Sequence, residues 1–245
     1  MNSKRPTGIN FRTTHGIVPA LDSPDLDEVR RVVEASTGVE GVVAYKLGLT
    51  MVLRYGLAEA VRVLREVTEL PILYDHQKAG PDVPDMAGKF CALAREAGVD
   101  GLILFPLAGP NAVDGFAGGA IEHGLLPVVG GDLPLPDYNV AGGGYVADDA
   151  LERIFERAAD IGTRDFIVPG HKAEKVRRHA EWLQANVQAP RLFIPGIGAL
   201  GGTIEGTFAA AEGCHTYAVV GRAVYAADNP GEAARMLAGQ ALQFT

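Results

Sequence analysis

Short apolar runs alternate with longer amphipathic segments along the whole chain. Most of the runs are continuously apolar, which is typical of strands that are buried on both faces of a parallel sheet. Between residues 53 and 64, apolar side chains recur on one face at helical spacing. Eight runs are predicted to be strands, at residues 17–22, 42–48, 71–75, 101–105, 125–131, 165–170, 191–196 and 217–221.

This repeating order predicts a single α/β domain, a (β/α)8 TIM barrel. The chain has 245 residues, and about 250 residues is typical of that fold. We expect the barrel to occupy residues 17–245, and residues 1–16 to form an N-terminal extension. Ser23 and Pro24 are predicted to begin the first helix, as its N-cap and first helical residue. The connection at residues 130–149 is the longest, and its glycines and prolines favour a mobile lid over a helix.

Composition and charge narrow the range of partners. With 47% hydrophobic and 21% charged residues, the chain has the composition of a folded globular protein. The net charge of -8 provides no basic surface for nucleic acid, so any phosphate that the protein binds should belong to a small molecule.

Cysteine usage and the N-terminus bear on the cellular compartment. Cys91 and Cys214 lack the spacing of a zinc site or a disulfide framework. The N-terminus lacks the apolar core of a signal peptide, and no apolar run reaches the roughly 18 residues of a membrane span. We therefore expect a cytoplasmic protein.

Charged residues collect where the predicted strands end. The active site of a (β/α)8 barrel lies at the C-terminal ends of its strands and on the loops that follow. Asp22 and Asp75 end the first and third strands, and residues 130–132 follow the fifth. Lys46 lies inside the apolar second run, where a buried lysine needs a charged partner. The third strand continues as ILYDHQKAGPDVPD, which adds Lys78 and Asp82 to the candidate catalytic residues.

Glycine-rich loops follow the seventh and eighth strands. Such loops turn backbone N–H groups toward an anion, and this is the recurrent phosphate site of the fold. Arg222 would add a forked, charged donor. A small phosphorylated molecule is therefore the expected ligand. The candidate binding residues are Asp22, Gly196, Gly198, Gly201, Gly202, Gly221 and Arg222.

Taken together, these residues resemble the orotidine 5′-monophosphate decarboxylase family, most closely its archaeal-type branch. The likeness extends from Asp22 to the final helix, and VVGRAVYAADNPGEAA is its most specific segment. The resemblance implies a homodimer with active sites at the interface. It also implies decarboxylation of orotidine monophosphate to uridine monophosphate in pyrimidine biosynthesis, without a metal or cofactor.

The resemblance also assigns roles to the charged residues. Lys46, Asp75, Lys78 and Asp82 match the alternating charge network of the family. Lys78 would protonate the carbanion, and Asp75 would crowd the scissile carboxylate. Lys46 and Asp22 would hold the ribose hydroxyls, and Asp82 would reach the site of the other subunit. Two carboxylates between ammonium groups stay ionised, so loss of the substrate carboxylate would relieve repulsion.

The sequence departs from the family in two places. The usual spacing is D-x-K-x-x-D, whereas this chain has one extra residue on each side of Lys78. Residues three apart in a strand do not share a face, so Lys78 joins Asp75 only through a bulge or turn; otherwise Gln77 faces inward. We favour Lys78.

The second departure concerns base recognition. Leu200 replaces a glutamine that bridges phosphate and pyrimidine in the family, and the fifth loop lacks the serine that reads the base. Gln77, Asp132 and Tyr138 are therefore the candidates for base recognition.

Two other functions fit a barrel of this kind. A magnesium-dependent sugar-phosphate decarboxylase or hexulose-phosphate synthase shares the aspartate–lysine core, but it needs further carboxylates near Asp75, and no glutamate is added at the second and third strand ends. The chain could instead be a non-catalytic nucleotide or sugar-phosphate binding barrel. Retention of all four charged residues argues against that, because an idle buried charge network destabilises a fold.

Overall fold

Eight parallel strands form a closed barrel in which each strand pairs with its neighbours in the chain and β8 pairs with β1. The computed structural model describes residues 9–198 and 201–245. Each strand overlaps one of the predicted runs, so the predicted (β/α)8 fold is confirmed. The strands are β1 (His15–Leu21), β2 (Tyr45–Gly48), β3 (Ile72–Ala79), β4 (Gly101–Leu104), β5 (Leu126–Val129), β6 (Asp165–Ile167), β7 (Arg191–Pro195) and β8 (His215–Val220).

Helices connect the strands and surround the barrel. The helices are α1 (Leu26–Ser36), α2 (Leu49–Tyr55), α3 (Leu57–Arg65), α4 (Ala87–Glu96), α5 (Pro110–Glu122), α6 (Ala150–Ile161), α7 (Ala173–Asn186), α8 (Ile204–Ala210), α9 (Arg222–Tyr225) and α10 (Pro230–Leu242). Single 3-10 turns occur at Pro84–Met86 and Val140–Gly142. Over the described residues, no helix combines the length and apolar character needed to cross a membrane.

The start of α1 differs from the prediction. Asp25, not Ser23, is the N-cap, and its carboxylate accepts hydrogen bonds from the backbone N–H groups of Asp27 and Glu28. The Ser23 hydroxyl instead accepts a hydrogen bond from the Asp25 N–H. Serine and aspartate are comparable N-caps, so their order in the sequence does not decide which one caps the helix.

Two apolar layers explain why the strands are continuously hydrophobic. One cluster lies inside the barrel and contains side chains contributed from around its circumference, such as Val18, Ile103 and Phe193. The other lies between the strands and the helices, so that Leu73 faces inward while Ile72 faces the helix layer. Both faces of each strand are therefore buried, as expected for a parallel sheet covered by helices.

The N-terminal segment packs against the end of the barrel where the strands begin. The ring of Phe11 lies 4.9 Å from that of Tyr217 and 4.8 Å from the guanidinium of Arg191. Arg191 forms a buried bidentate ion pair with Asp165, with nitrogen–oxygen distances of 2.5 and 2.7 Å, and also donates to the carbonyl of Ile9. Part of the N-terminal segment therefore covers a buried charge pair at this end.

We predict that Asp165→Asn lowers the free energy of unfolding by about 3–5 kcal/mol, because it leaves the buried Arg191 without a charged partner. The matched control is Asp114→Asn, which breaks the exposed pair with Arg157 and should cost at most about 1 kcal/mol. Urea denaturation at one protein concentration measures the free energy of unfolding of both variants. Equal losses in the two variants would contradict the structural role of the buried pair.

Candidate active site

Four of the predicted catalytic and binding residues meet at the C-terminal end of the barrel. Lys46 Nζ lies 2.8 Å from Asp22 Oδ1 and 3.3 Å from Asp75 Oδ2. Lys78 Nζ lies 2.8 Å from the same Asp75 oxygen. The side chains therefore form a chain of alternating charge, Asp22–Lys46–Asp75–Lys78, which we call the charge network.

A bulge in β3 brings Lys78 to Asp75. Asp75 and Ala79 pair with consecutive residues of β4, so residues 76–78 bulge out of the ladder. Gln77 adopts a left-handed backbone conformation with φ of 67°, and its N–H donates to Asp75 Oδ1 at 3.1 Å. The bulge that the spacing requires is therefore present, and it restores the contact between Lys78 and Asp75 despite the extra residue.

Two glycines allow the backbone to approach closely around the network. A Cβ atom on Gly48 would lie 2.3 Å from Asp22 Oδ1. At Gly80, where the chain leaves the bulge, φ is 119° and a Cβ atom would lie 2.7 Å from Pro106 Cα. Larger residues at either position would displace the carboxylate or the bulge, so both positions require glycine.

Mutual pairing keeps the buried charges ionised. Asp75 is fully buried, and burial raises the pKa of its carboxyl, but Lys46 and Lys78 outweigh this effect and hold the pKa below its ordinary value. Burial likewise lowers the pKa of Lys46, whereas Asp75 and Asp22 raise it to above its ordinary value. Both groups are therefore charged at neutral pH.

Lys78 is the more accessible lysine of the network. Its side chain is 22% exposed, compared with 10% for that of Lys46. Its Nζ lies 5.4 Å from the centroid of the Phe105 ring, which follows β4. His76, by contrast, contacts Tyr74 and Phe90. Of the bulge side chains, Lys78 is therefore the one placed both to contact Asp75 and to meet a ligand at the barrel mouth.

The predicted phosphate loops lie at the same end of the barrel. Gly196, Gly198 and Gly201 have positive φ angles of 94°, 82° and 91°. The N–H groups of Gly198, Gly201 and Gly202 bond to carbonyls within the loop. These bonds fix the loop shape, so an anion would have to be bound by other donors. Leu200 lies outside the described residues.

After β8, Gly221 precedes the short helix α9, which Arg222 begins. The Arg222 side chain is exposed and lies at the end of the barrel that carries the charge network. The backbone N–H groups at the start of a helix favour an anion. Gly221 and Arg222 therefore lie at the barrel mouth, and their binding of a ligand stays a prediction.

Asp82 is not brought to the charge network within one chain. It is exposed, and its Oδ1 accepts a hydrogen bond from the adjacent Val83 N–H at 2.7 Å. Val83 and Met86, which flank this turn, are 59% and 41% exposed. Within one chain, Asp82 therefore lies on the surface beside two exposed apolar side chains.

Another ion pair joins a buried carboxylate to a partly exposed lysine that is not among the predicted site residues. Asp132 follows β5 and is 5% exposed, and its Oδ2 lies 2.9 Å from Nζ of Lys175, in the first turn of α7. Tyr138 donates to the carbonyl of Gly131 at 2.9 Å. Lys175 was missed because it is one of many charged residues in α7, and the sequence offers no signal that distinguishes it.

The long fifth connection does not form an α-helix. The described backbone contains a single 3-10 turn at Val140–Gly142, and Tyr145 is completely exposed. This agrees with the prediction against a helix, and the predicted lid movement stays a prediction. In the described parts of the chain, no group of three or more His, Cys, Asp or Glu side chains is arranged to hold a metal ion.

A closed barrel of eight parallel strands with a charge network at their C-terminal ends defines a (β/α)8-barrel enzyme. The sequence model of the orotidine 5′-phosphate decarboxylase / HUMPS family matches residues 16–237. The chain belongs to this family, as its motifs predict.

Archaeal relatives support the same placement. The chain is 29% identical over 225 residues to orotidine 5′-phosphate decarboxylase of Methanosarcina barkeri, a match covering 91% of this chain and 93% of that protein. It is also 29% identical over 219 residues to the Pyrococcus abyssi enzyme of the same name, covering 89% and 95%. The predicted archaeal-type likeness is confirmed.

Solved structures agree on the fold. The crystal structure of orotidine 5′-monophosphate decarboxylase from Methanocaldococcus jannaschii, complexed with the inhibitor BMP, matches with a TM-score of 0.79 at 22% identity. The match covers 92% of this chain and 98% of that chain. The orotidine 5′-phosphate decarboxylase structure from Pyrococcus horikoshii matches with a TM-score of 0.73 at 24% identity, covering 91% and 98%.

We predict that Asp75→Asn lowers the pKa of Lys46, because burial then outweighs the remaining carboxylate, Asp22. In the wild type, the raised pKa of Lys46 stabilises the fold fully below its ordinary value of 10.5. That stability is lost as the pH rises through the folded-state pKa. In the variant, the free energy of unfolding should be lower by about 3–5 kcal/mol at neutral pH, and its alkaline decline should begin at lower pH.

Urea denaturation across the neutral to alkaline range, at one protein concentration, measures both effects. Asp22→Asn serves as the control, because the more exposed Asp22 should contribute less than the fully buried Asp75. If Asp75→Asn left the alkaline profile unchanged, Asp75 would not be the partner that keeps Lys46 charged.

Proposed function

We propose that this protein decarboxylates orotidine 5′-monophosphate to uridine 5′-monophosphate, without a metal or cofactor. The observation that carries the proposal is the fully buried Asp75 carboxylate, bonded to Lys78 and next to Lys46. The archaeal relatives named as decarboxylases support the choice of substrate. The two buried free cysteines are consistent with a cytoplasmic enzyme, because that compartment keeps thiols reduced.

The charge network accounts for release of carbon dioxide. A substrate carboxylate held beside Asp75 experiences repulsion from a group that its lysines keep ionised. Cleavage of the bond between ring and carboxylate removes one negative group from this position and leaves an electron pair on the ring carbon. Interactions that improve only as the reaction proceeds accelerate it.

Lys78 completes the reaction by protonating the ring carbon. Its ammonium group contacts Asp75 directly, so it lies beside the position that the departing carboxylate vacates. The Lys78 Nζ–H bond breaks as the carbon–hydrogen bond forms, and the neutral amine is reprotonated from solvent. This is general acid catalysis by a positioned side chain.

The bonding of Asp75 favours this route over the magnesium-dependent alternative. Asp75 Oδ2 contacts two lysine ammonium groups, and Oδ1 accepts the Gln77 N–H. A divalent cation bound to this carboxylate would have to displace an ammonium group and would then repel both lysines. The lysines therefore supply the positive charge that a metal would supply in the alternative enzymes.

The remaining residues would hold the rest of the substrate. Asp22 and Lys46 lie at the ends of β1 and β2, where their free hydrogen-bonding capacity suits ribose hydroxyls. Arg222, together with backbone N–H groups of the loops after β7 and β8 that make no bond within their own loop, would bind the 5′-phosphate at the usual phosphate position of this fold. The proposed ligand is thus a small nucleotide that spans the barrel mouth.

The proposal includes a homodimer in which Asp82 reaches the active site of the other subunit. Asp82 is exposed and, among its described contacts, makes none with the charge network of its own chain. The exposed Val83 and Met86 beside it would be buried by a symmetric partner. A second copy would thereby add a carboxylate to each site.

Lys78→Ala is expected to abolish decarboxylation of orotidine 5′-monophosphate, because it removes the proposed proton donor, while uridine 5′-monophosphate still binds. Ultraviolet absorbance follows turnover, and calorimetry measures binding. Lys89→Ala, which removes an exposed lysine of α4, is the matched control and should leave turnover unchanged. Survival of activity in Lys78→Ala would disprove its role as the acid.

Mixing Lys78→Ala with Asp82→Ala protein is expected to restore activity if each site uses Asp82 of the partner. At equal amounts, half of the dimers are mixed, and one site in each carries both intact residues, so recovery should approach about a quarter of wild-type activity. Subunit exchange followed by the absorbance assay measures this. No recovery, despite mixed dimers identified by mass spectrometry, would place Asp82 outside the partner's site.

A further inference from the structure

Two buried polar atoms without partners among the described residues lie in the segments that follow β5 and β6, which are neighbouring strands. Asp132 is 5% exposed, and its Oδ1 has no hydrogen-bond partner among the described residues. The Nδ1 atom of His171, which follows β6, is also buried and unpaired in that part of the chain. Leaving a buried carboxylate oxygen unpaired costs free energy, so such an atom calls for a functional explanation.

The position of this pair connects it to the active site. In the closed barrel, β5 and β6 lie across the mouth from β1 and β2, which carry Asp22 and Lys46. Gly170, next to His171, packs against the glycine loop after β7, where a Cβ atom on Gly202 would lie 2.7 Å from the Gly170 carbonyl oxygen. Asp132 and His171 therefore lie at the same rim of the barrel as the charge network and the proposed phosphate loops.

Lys175 and Asp132 keep hydrogen-bonding groups that their ion pair does not use. Lys175 uses one N–H for Asp132 Oδ2, and an ammonium group has three donors. Asp132 Oδ1 offers only an acceptor while the carboxylate is ionised. Burial, together with Lys172 and Lys175, lowers the pKa of His171, so its ring is neutral at neutral pH. The region thus presents a charged donor beside a charged acceptor.

A pyrimidine-2,4-dione ring has the complementary pattern, a ring N–H between two carbonyl oxygens. We propose that Asp132 and Lys175 recognise this edge: Asp132 Oδ1 accepts the ring N–H, and Lys175 donates to an adjacent carbonyl. This inference rests on the proposed function and identifies the residues that select the base. It assigns a function to an ion pair that would otherwise only join β5 to α7.

Base recognition by the Asp132–Lys175 ion pair would also compensate for Leu200, which stands where the family has a glutamine. Leucine has no side-chain donor or acceptor, so Leu200 cannot supply a hydrogen bond to the ring. A carboxylate held by a lysine provides both types of bond from another part of the rim. A charged acceptor also rejects a ring that presents a lone pair at this position, such as cytosine.

Binding to the wild-type protein tests the inference without any variant. Calorimetry should show that uridine 5′-monophosphate binds roughly 10- to 100-fold more tightly than its 3-methyl derivative, as expected for losing a hydrogen bond to a charged group. Cytidine 5′-monophosphate should also bind more weakly. Equal affinity for the uridine nucleotide and its 3-methyl derivative would overturn the proposal.

Variants then assign the discrimination to the ion pair. Asp132→Ala should remove most of the preference over the 3-methyl derivative, and Asp132→Asn should restore part of it, since the amide oxygen is still an acceptor. Lys175→Met should weaken uridine nucleotide binding, whereas Lys172→Met, which removes an exposed lysine three residues away, should not. Ribose 5-phosphate binding, which lacks the ring, should stay unchanged in all four variants.

The outcomes separate this inference from the proposed function. If the wild type turns over orotidine 5′-monophosphate but Asp132→Ala keeps the full preference, the inference fails and the function stands. If ribose 5-phosphate binds and neither uridine nucleotide binds nor orotidine nucleotide reacts, the proposed function fails. Equal weakening of nucleotide and ribose 5-phosphate in Asp132→Ala would assign Asp132 a structural role and overturn the inference.

Discussion

The contact between the buried Asp75 carboxylate and two lysine ammonium groups is the interaction on which the site depends. An isolated buried carboxylate would take up a proton, because desolvation disfavours its charge. Lys46 and Lys78 reverse that preference, and Asp22 in turn compensates Lys46. The same pairing that stabilises the charges inside the protein keeps Asp75 negative. In the proposed mechanism, this negative charge destabilises a neighbouring substrate carboxylate.

The two ends of the barrel have different roles: one is closed by packing, and the other carries the charged groups. Phe11 and the Arg191–Asp165 pair close the end where the strands begin, and apolar side chains fill the interior. The other end is free to collect charged groups that would be costly in a continuous core. Gly48 and Gly80 admit the close approaches that the network requires, so the backbone and the charges depend on each other.

The sequence was most informative where one physical cause dominates. Continuous apolar runs report burial on both faces, and this predicted all eight strands and hence the rim where Asp22, Lys46 and Asp75 meet. The contact of Lys78 could be stated only as a condition, because the path of a bulge depends on its packing against β4. The pairing of Lys175 with Asp132 could not be predicted from the sequence, because the two residues are 43 positions apart and α7 carries many other charges. Spacing within one element is legible in a sequence, whereas pairing between distant elements is a property of the folded chain.

In the proposed mechanism the lysines, in place of a metal, provide the positive charge for decarboxylation. Its most direct test is the rate at which the wild-type protein converts orotidine 5′-monophosphate after exhaustive treatment with a chelator, followed by ultraviolet absorbance. The proposed mechanism predicts turnover that is unchanged by the chelator and by added magnesium. Turnover that disappears with the chelator and returns with magnesium would contradict it.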